Sequence, residues 1–216
     1  MVVLIDAGDG KGAASLHESF TEPVLHPALG WHCEPKRWSL HPAVRRLRIE
    51  PEAGTDFWRR THYGFEADNG HVLSAEVAGD FVMAAHVHFR PVHQYDQAGL
   101  LVRVSPTCWL KASVEYEPDG DSRLGAVVTN HAYSDWSTQP FPADAGDVWL
   151  RIRREGDDYI VDGSHDGQLW QQMRMAHLID DRPGATVRAG LYACSPKGAG
   201  FVAEFGALTI DAGRLA

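Results

Sequence analysis

Residues 109–117 read WLKASVEYE, and on a strand Trp109, Lys111, Ser113, Glu115 and Glu117 share one side. Two carboxylates at that spacing stand about 6–7 Å apart, since a strand rises about 3.3 Å per residue. The separation lies between those of retaining and inverting glycoside hydrolases. Lys111, and Arg103 from the preceding run, would hold one carboxylate ionised while burial raises the pKa of the other. Glu115 is therefore the candidate catalytic acid or nucleophile. Glu117 is the weaker candidate, because Pro118 ends the strand and leaves it at the margin. The plainer alternative pairs Glu115 with Lys111 or Arg103 in a structural network.

Residues 95–104 (YDQAGLLVRV) place Gln97 and Arg103 on the same polar side, opposite Leu100, Val102 and Val104. Residues 125–130 (GAVVTN) end in Asn130, with Asp135 and Trp136 just beyond. A face that mixes aromatic, cationic, anionic and amide groups suits a polyhydroxylated ligand. Aromatic rings cover the C–H face of a sugar, and planar polar groups take its hydroxyls. Trp58, Tyr63, Tyr95, Trp109 and Trp136 supply aromatic surface, and Trp109 leads because it falls on the polar side. The expected ligand-binding set is Gln97, Arg103, Trp109, Lys111, Glu115 and Asn130, with His86 and His88 beside them.

His86 and His88 share a strand side at a spacing that serves a metal, with Glu115, His93 or His131 as a third ligand. Bonded or solvated histidines are the default, so no metal and no cofactor are expected. Other motifs fall short. Gly8, Gly10 and Gly12 surround Lys11, but no Ser or Thr follows it as in a phosphate-binding Walker loop. Residues 163–167 (GSHDG) are not G-x-S-x-G and read as a turn containing Ser164. Arg151, Arg153 and Arg154 form a small basic edge.

The elements that position these residues are short strands, expected at 37–40, 44–49, 72–77, 80–89, 96–104, 109–117, 124–130, 148–153, 158–163, 186–193 and 200–210. Turn signals at 68–70 (DNG), 118–120 (PDG) and 166–167 (DG) divide them. Residues 168–179 (QLWQQMRMAHLI) allow a short helix. So many strands and so little helix predict an all-β, two-sheet antiparallel β-sandwich with at most one or two short helices. The chain has 216 residues, 44% of them hydrophobic, enough for one core. Residues 1–20 read as a poorly defined segment, followed by a single domain over 21–216.

The 20 basic and 29 acidic residues give a net charge of −9, which argues against nucleic acid and anionic membranes as partners. No apolar run approaches the length of a membrane span, and the first residues lack the basic start and cleavage site of a secretory signal. Cys33, Cys108 and Cys194 form no C-x-x-C pattern and read as reduced, buried thiols of a cytoplasmic protein.

In order along the chain stand residues 34–38 (EPKRW), 55–65 (TDFWRRTHYGF), 95–103 (YDQAGLLVR), 109–116 (WLKASVEY), 127–130 (VVTN), 134–137 (SDWS) and 193–196 (ACSP). Together they resemble the regulation-of-enolase-protein-like family, DUF1349, of the concanavalin A-like lectin/glucanase superfamily. The likeness implies a jelly roll of two curved sheets, with a concave face that relatives in the superfamily use for sugars. It implies no particular reaction or catalytic residue. The related glucanases carry E-x-D-x-x-E within one strand, and residues 115–119 (EYEPD) depart from that pattern. The expected function is binding of a carbohydrate or similar polyhydroxylated ligand. A glycoside hydrolase using Glu115 is the alternative. A regulatory module that contacts a protein partner or forms a homo-oligomer is the second alternative.

Overall fold

The computed structural model describes residues 5–6, 15–142 and 145–213. The glycines around Lys11 lie outside the described residues. Strands begin with β1 (Ile5–Asp6), β2 (Leu16–Glu18), β3 (Gly30–His32), β4 (Arg37–His41), β5 (Arg46–Glu50) and β6 (Phe57–Arg59). They continue with β7 (Glu66–Asp68), β8 (His71–Ala78), β9 (Phe81–His88), β10 (Gln97–Ser105), β11 (Cys108–Glu115) and β12 (Ser122–Asn130). The last are β13 (Tyr133–Phe141), β14 (Asp147–Glu155), β15 (Asp158–Ser164), β16 (Gln171–His177), β17 (Thr186–Cys194) and β18 (Ala203–Ala212).

Two eight-stranded sheets result. The first runs β1-β8-β17-β10-β11-β12-β13, with β3 also on β8; the second runs β16-β15-β14-β9-β18-β5-β4, with β2 on β18. Pairing within them is antiparallel apart from β1 on β8. The fold class read from the alternating segments is the one observed. No helix among the described residues is long and apolar enough to cross a membrane.

The strand period of two sorts side chains between core and outside. In β14, every second residue is buried. Leu100, Val102, Leu110, Ala112, Val114 and Leu191 of the first sheet meet Met83, Val87, Leu150, Ile152, Phe205 and Ile210 of the second in one apolar core. Burying each large side chain there contributes about 1.5–3 kcal/mol. The same alternation turns Gln97, Lys111 and Glu115 away from the core, and the register sets Gln97 opposite Glu115 and Arg103 opposite Trp109.

Three local expectations change, the helix at 168–179, the start of β5 and the burial of Cys33, and β13 is a strand the pattern did not foresee. Residues 171–177 form β16 rather than a helix, because β15 offers an open hydrogen-bonding edge that outweighs the helix propensity of Gln, Met and Ala. The one helical turn among the described residues is a 3-10 turn, Pro42–Val44, which delays β5 to Arg46. β13, with Pro140 in it, is a sheet edge where a missing amide donor is tolerated. Cys108 and Cys194 are buried free thiols, whereas Cys33 is exposed.

The arginines of β14 do not form a basic edge. Arg151 and Arg153 pair with Asp162 on β15. Arg154 points inward, 1% exposed, and donates to both oxygens of buried Asp181 at 2.5 and 2.8 Å. It also donates to the carbonyls of Gly79 and Ala185, while the Tyr159 hydroxyl donates to Asp181 at 2.6 Å. Removing the carboxylate strands a buried cation. Asp181→Ala should therefore cost about 3–5 kcal/mol in urea unfolding, against about 1 kcal/mol for Tyr159→Phe. A loss below about 1 kcal/mol for Asp181→Ala would show that Arg154 finds water instead.

Candidate functional site

The outer face of the first sheet is partly roofed by the β6–β7 ribbon. Phe57 of β6 packs edge-on against Trp109 and Tyr192, with ring centroids 5.8 and 6.2 Å apart. These rings join Val72, Leu101, Val127 and Cys194 in a second apolar cluster. Gly70 makes the close approach possible, since a Cβ there would stand 2.5 Å from the Phe57 ring. That half of the face is sealed.

The other half holds an open cavity of about 870 Å³. Its floor is Gln97, Lys111, Glu115 and Val127; Asp56, Trp58, Asp68 and Asn69 wall one side, with Tyr63, Phe65 and Glu66 above them. Tyr95, Glu117, Trp136, Pro196 and Lys197 also line it, and the segment before Pro196 runs beside the one leading to Asp56. Buried Asp96 ties two of these loops together: it accepts from the amides of Val92 and His93 and from the Ser195 hydroxyl. The Ser195 amide donates in turn to Thr55, which anchors the segment leading to Asp56.

Lys111 is 3% exposed. Its ammonium donates to Gln97 Oε1 at 2.8 Å and reaches Asp56 Oδ1 at 3.5 Å. The Tyr192 hydroxyl donates to the same Gln97 oxygen at 2.9 Å. Gln97 Nε2 donates to the Tyr95 carbonyl at 3.3 Å, so the amide has one orientation. Among the described residues the Glu115 carboxyl accepts no hydrogen bond. Burial, opposed by Lys111 and reinforced by Asp56 and Glu117, pushes its pKa up to about 7. At neutral pH it stands between acid and carboxylate, able to donate to a ligand oxygen or accept from a hydroxyl.

Of the residues expected from the sequence, Gln97, Lys111 and Glu115 converge on this cavity, and Glu117 sits at its margin, where it accepts from Gln94 at 2.8 Å. The others do not converge. Trp109 is fully buried beneath Phe57 and is no stacking platform, because the ribbon covers the side of β11 that the strand pattern left open. Arg103 is taken up by Asp68 at 2.6 Å, at the edge of the ribbon. Asn130 accepts from the Ile179 amide and donates to the His177 carbonyl, fastening the end of β12 to the segment after β16. His86 and His88 belong to the second sheet and cannot stand beside Gln97.

Trp58, Tyr63, Tyr95 and Trp136 do meet at the pocket, Tyr63 with 57% of its surface exposed. Asp56, Asp68 and Lys197 escaped sequence reasoning because they come from the ribbon and from a loop far along the chain. The dense TDFWRRTHYGF run was the available signal for the first of them.

The geometry defines a β-sandwich protein with an acidic, aromatic-walled pocket on one outer sheet face. The family model described as "Protein of unknown function (DUF1349)" matches residues 31–212, and the chain belongs to that family. It is 35% identical over 182 residues to Regulation of enolase protein 1 of Saccharomyces cerevisiae, across 84% of this chain and 88% of that protein. The crystal structure of a functionally unknown protein from Saccharomyces cerevisiae superimposes with a TM-score of 0.78 at 33% identity, across 87% of this chain and 98% of that one. The xylan beta-1,4-xylosidase of Bacillus halodurans C-125 gives a TM-score of 0.69 at 15% identity, across 90% of this chain and 38% of that one. This last likeness is one of fold alone.

The raised pKa of Glu115 has a measurable consequence. Below about pH 4.5 the carboxyl is protonated folded or unfolded, and its burial costs nothing; between about 4.5 and 7 only the unfolded chain ionises, and above 7 the cost is complete. Glu115→Gln should melt with the wild type at pH 4 and be more stable at pH 8, by up to about 3 kcal/mol. Parallel pH profiles for the two proteins would place the carboxyl in water.

Proposed function

We propose that the pocket binds a carbohydrate or similar polyhydroxylated ligand. The observation that carries this reading is the pairing, in one cavity of about 870 Å³, of aromatic walls with planar polar groups on the floor. Tyr63, Tyr95 and Trp136 offer faces for the C–H surface of a sugar ring, and Asp56, Asn69 and Glu115 offer partners for its hydroxyls. The volume suits one or a few sugar rings. Lys111 and Gln97 are held by their own network, so binding needs little reordering of the floor.

The fold shared with a xylan beta-1,4-xylosidase supports including xylose and xylo-oligosaccharides among the sugars tried. Titration calorimetry of the purified chain with mono- and oligosaccharides should find one class that binds, and Trp136→Ala should weaken it at least about tenfold. Absence of binding by every sugar at millimolar concentration would rule the reading out.

The perturbed Glu115 favours a second reading, hydrolysis of a glycoside with Glu115 as the acid. On this reading an aryl glycoside of the binding sugar is turned over, and Glu115→Gln abolishes turnover while sugar affinity stays within about threefold. Binding without turnover would leave the pocket a recognition site.

A further inference from the structure

The outer face of the second sheet carries a separate group of residues that the pocket does not use. His86 and His88 lie two apart on β9; the β14 register places Trp149 opposite His86 and Asp147 opposite His88. Trp149 stacks on His86 with centroids 3.8 Å apart and planes 7° from parallel, which holds the imidazole in one orientation. The two imidazole centroids are 4.0 Å apart. His86 Nε2 lies 3.7 Å from Asp147 Oδ1, and His88 Nδ1 lies against the same oxygen. One ligand atom from each of the three side chains falls within 4.8 Å of the others.

His86 Nε2 is screened from solvent and has no hydrogen-bond partner among the described residues, and His88, itself 8% exposed, likewise has an unpartnered Nε2; Asp147 Oδ1, equally screened, meets the His88 imidazole. Buried polar atoms left bare in a well-packed structure mark a missing ion or water. We propose that His86 Nε2, His88 Nδ1 and Asp147 Oδ1 bind one divalent transition-metal ion of the zinc type. Two imidazoles and one carboxylate are the donors such an ion prefers, whereas calcium and magnesium require mostly oxygen. Bonds of about 2.0–2.2 Å in a tetrahedron set ligand atoms about 3.4 Å apart. His86 Nε2 and Asp147 Oδ1, 3.7 Å apart, already stand near that spacing, and an ion between them requires His88 Nδ1 and Asp147 Oδ1 to move apart.

The surroundings agree with this assignment. Gly206, at a bulge in β18, leaves room for both rings: a Cβ there would stand 3.0 Å from His86 Nδ1 and 3.4 Å from His88 Nε2. Of the nearby charges, Arg46 donates to the carbonyls of Val44 and Arg45, and Glu204, opposite His88, is held by Arg48 at 2.7 Å.

The test is zinc binding by the full chain after treatment with a chelator, followed by equilibrium dialysis and thermal melting. One equivalent of zinc should be retained, and zinc at about 100 times its Kd should raise the midpoint by about 5 °C or more. His86→Gln and Asp147→Asn should lose both effects. His177→Gln should keep them, since it alters only the exposed cluster of Asp157, Asp158 and His177. Cobalt(II) supplies an independent readout, visible absorption bands that either variant abolishes. Asp147 is partly exposed, so its variant keeps the test informative if His86→Gln does not fold. Failure of the wild type to retain zinc, or equal retention by folded Asp147→Asn, would overturn the proposal. Loss of zinc on His177→Gln alone would do the same.

Discussion

The ammonium of Lys111 lies almost wholly out of water, and a charge in that position must have partners. Gln97 Oε1 and Asp56 provide them, one from the neighbouring strand and one from the segment entering the ribbon. Meeting that single requirement sets much of the pocket. It draws the residues before β6 down onto the sheet and gives Gln97 its orientation through Tyr192. It also leaves Glu115 beside a cation that only partly offsets the effect of burial.

The roof has two consequences. Where Phe57 descends onto Trp109 and Tyr192, the face becomes an apolar layer with no access. Where the ribbon rises toward Tyr63 and Phe65, the floor stays open. The same short ribbon therefore removes one tryptophan from recognition and supplies another aromatic group at the pocket. The loops that carry Tyr95 and Pro196 are held by buried Asp96 and by Ser195, so this part of the pocket rests on hydrogen bonds made below the surface.

The two outer faces carry different chemistry because the strand alternation was used twice. On the first sheet it exposes carboxylates, an amine and an amide to a roofed cavity. On the second it exposes two imidazoles and a carboxylate beside a stacked indole, with Gly206 giving them space. The core lies between them, so a ligand on one face makes no direct contact with the other.

The alternation of apolar and polar residues was enough to read the sandwich, its longer strands, and the shared side of Lys111 and Glu115, because a period of two is a local property of the chain. The family likeness followed from motifs in order. Local sequence misled at 168–179, where helix propensity lost to the edge of β15, and at Arg154, where a basic-looking run hid a buried ion pair. It also could not show that Trp109 is covered, that Arg103 is claimed by Asp68, or that His86 and His88 lie on the other sheet with Asp147. Strand periodicity states which residues share a side. Which strands become neighbours, and what packs over them, depends on contacts between segments tens of residues apart, and those exist only once the chain has folded.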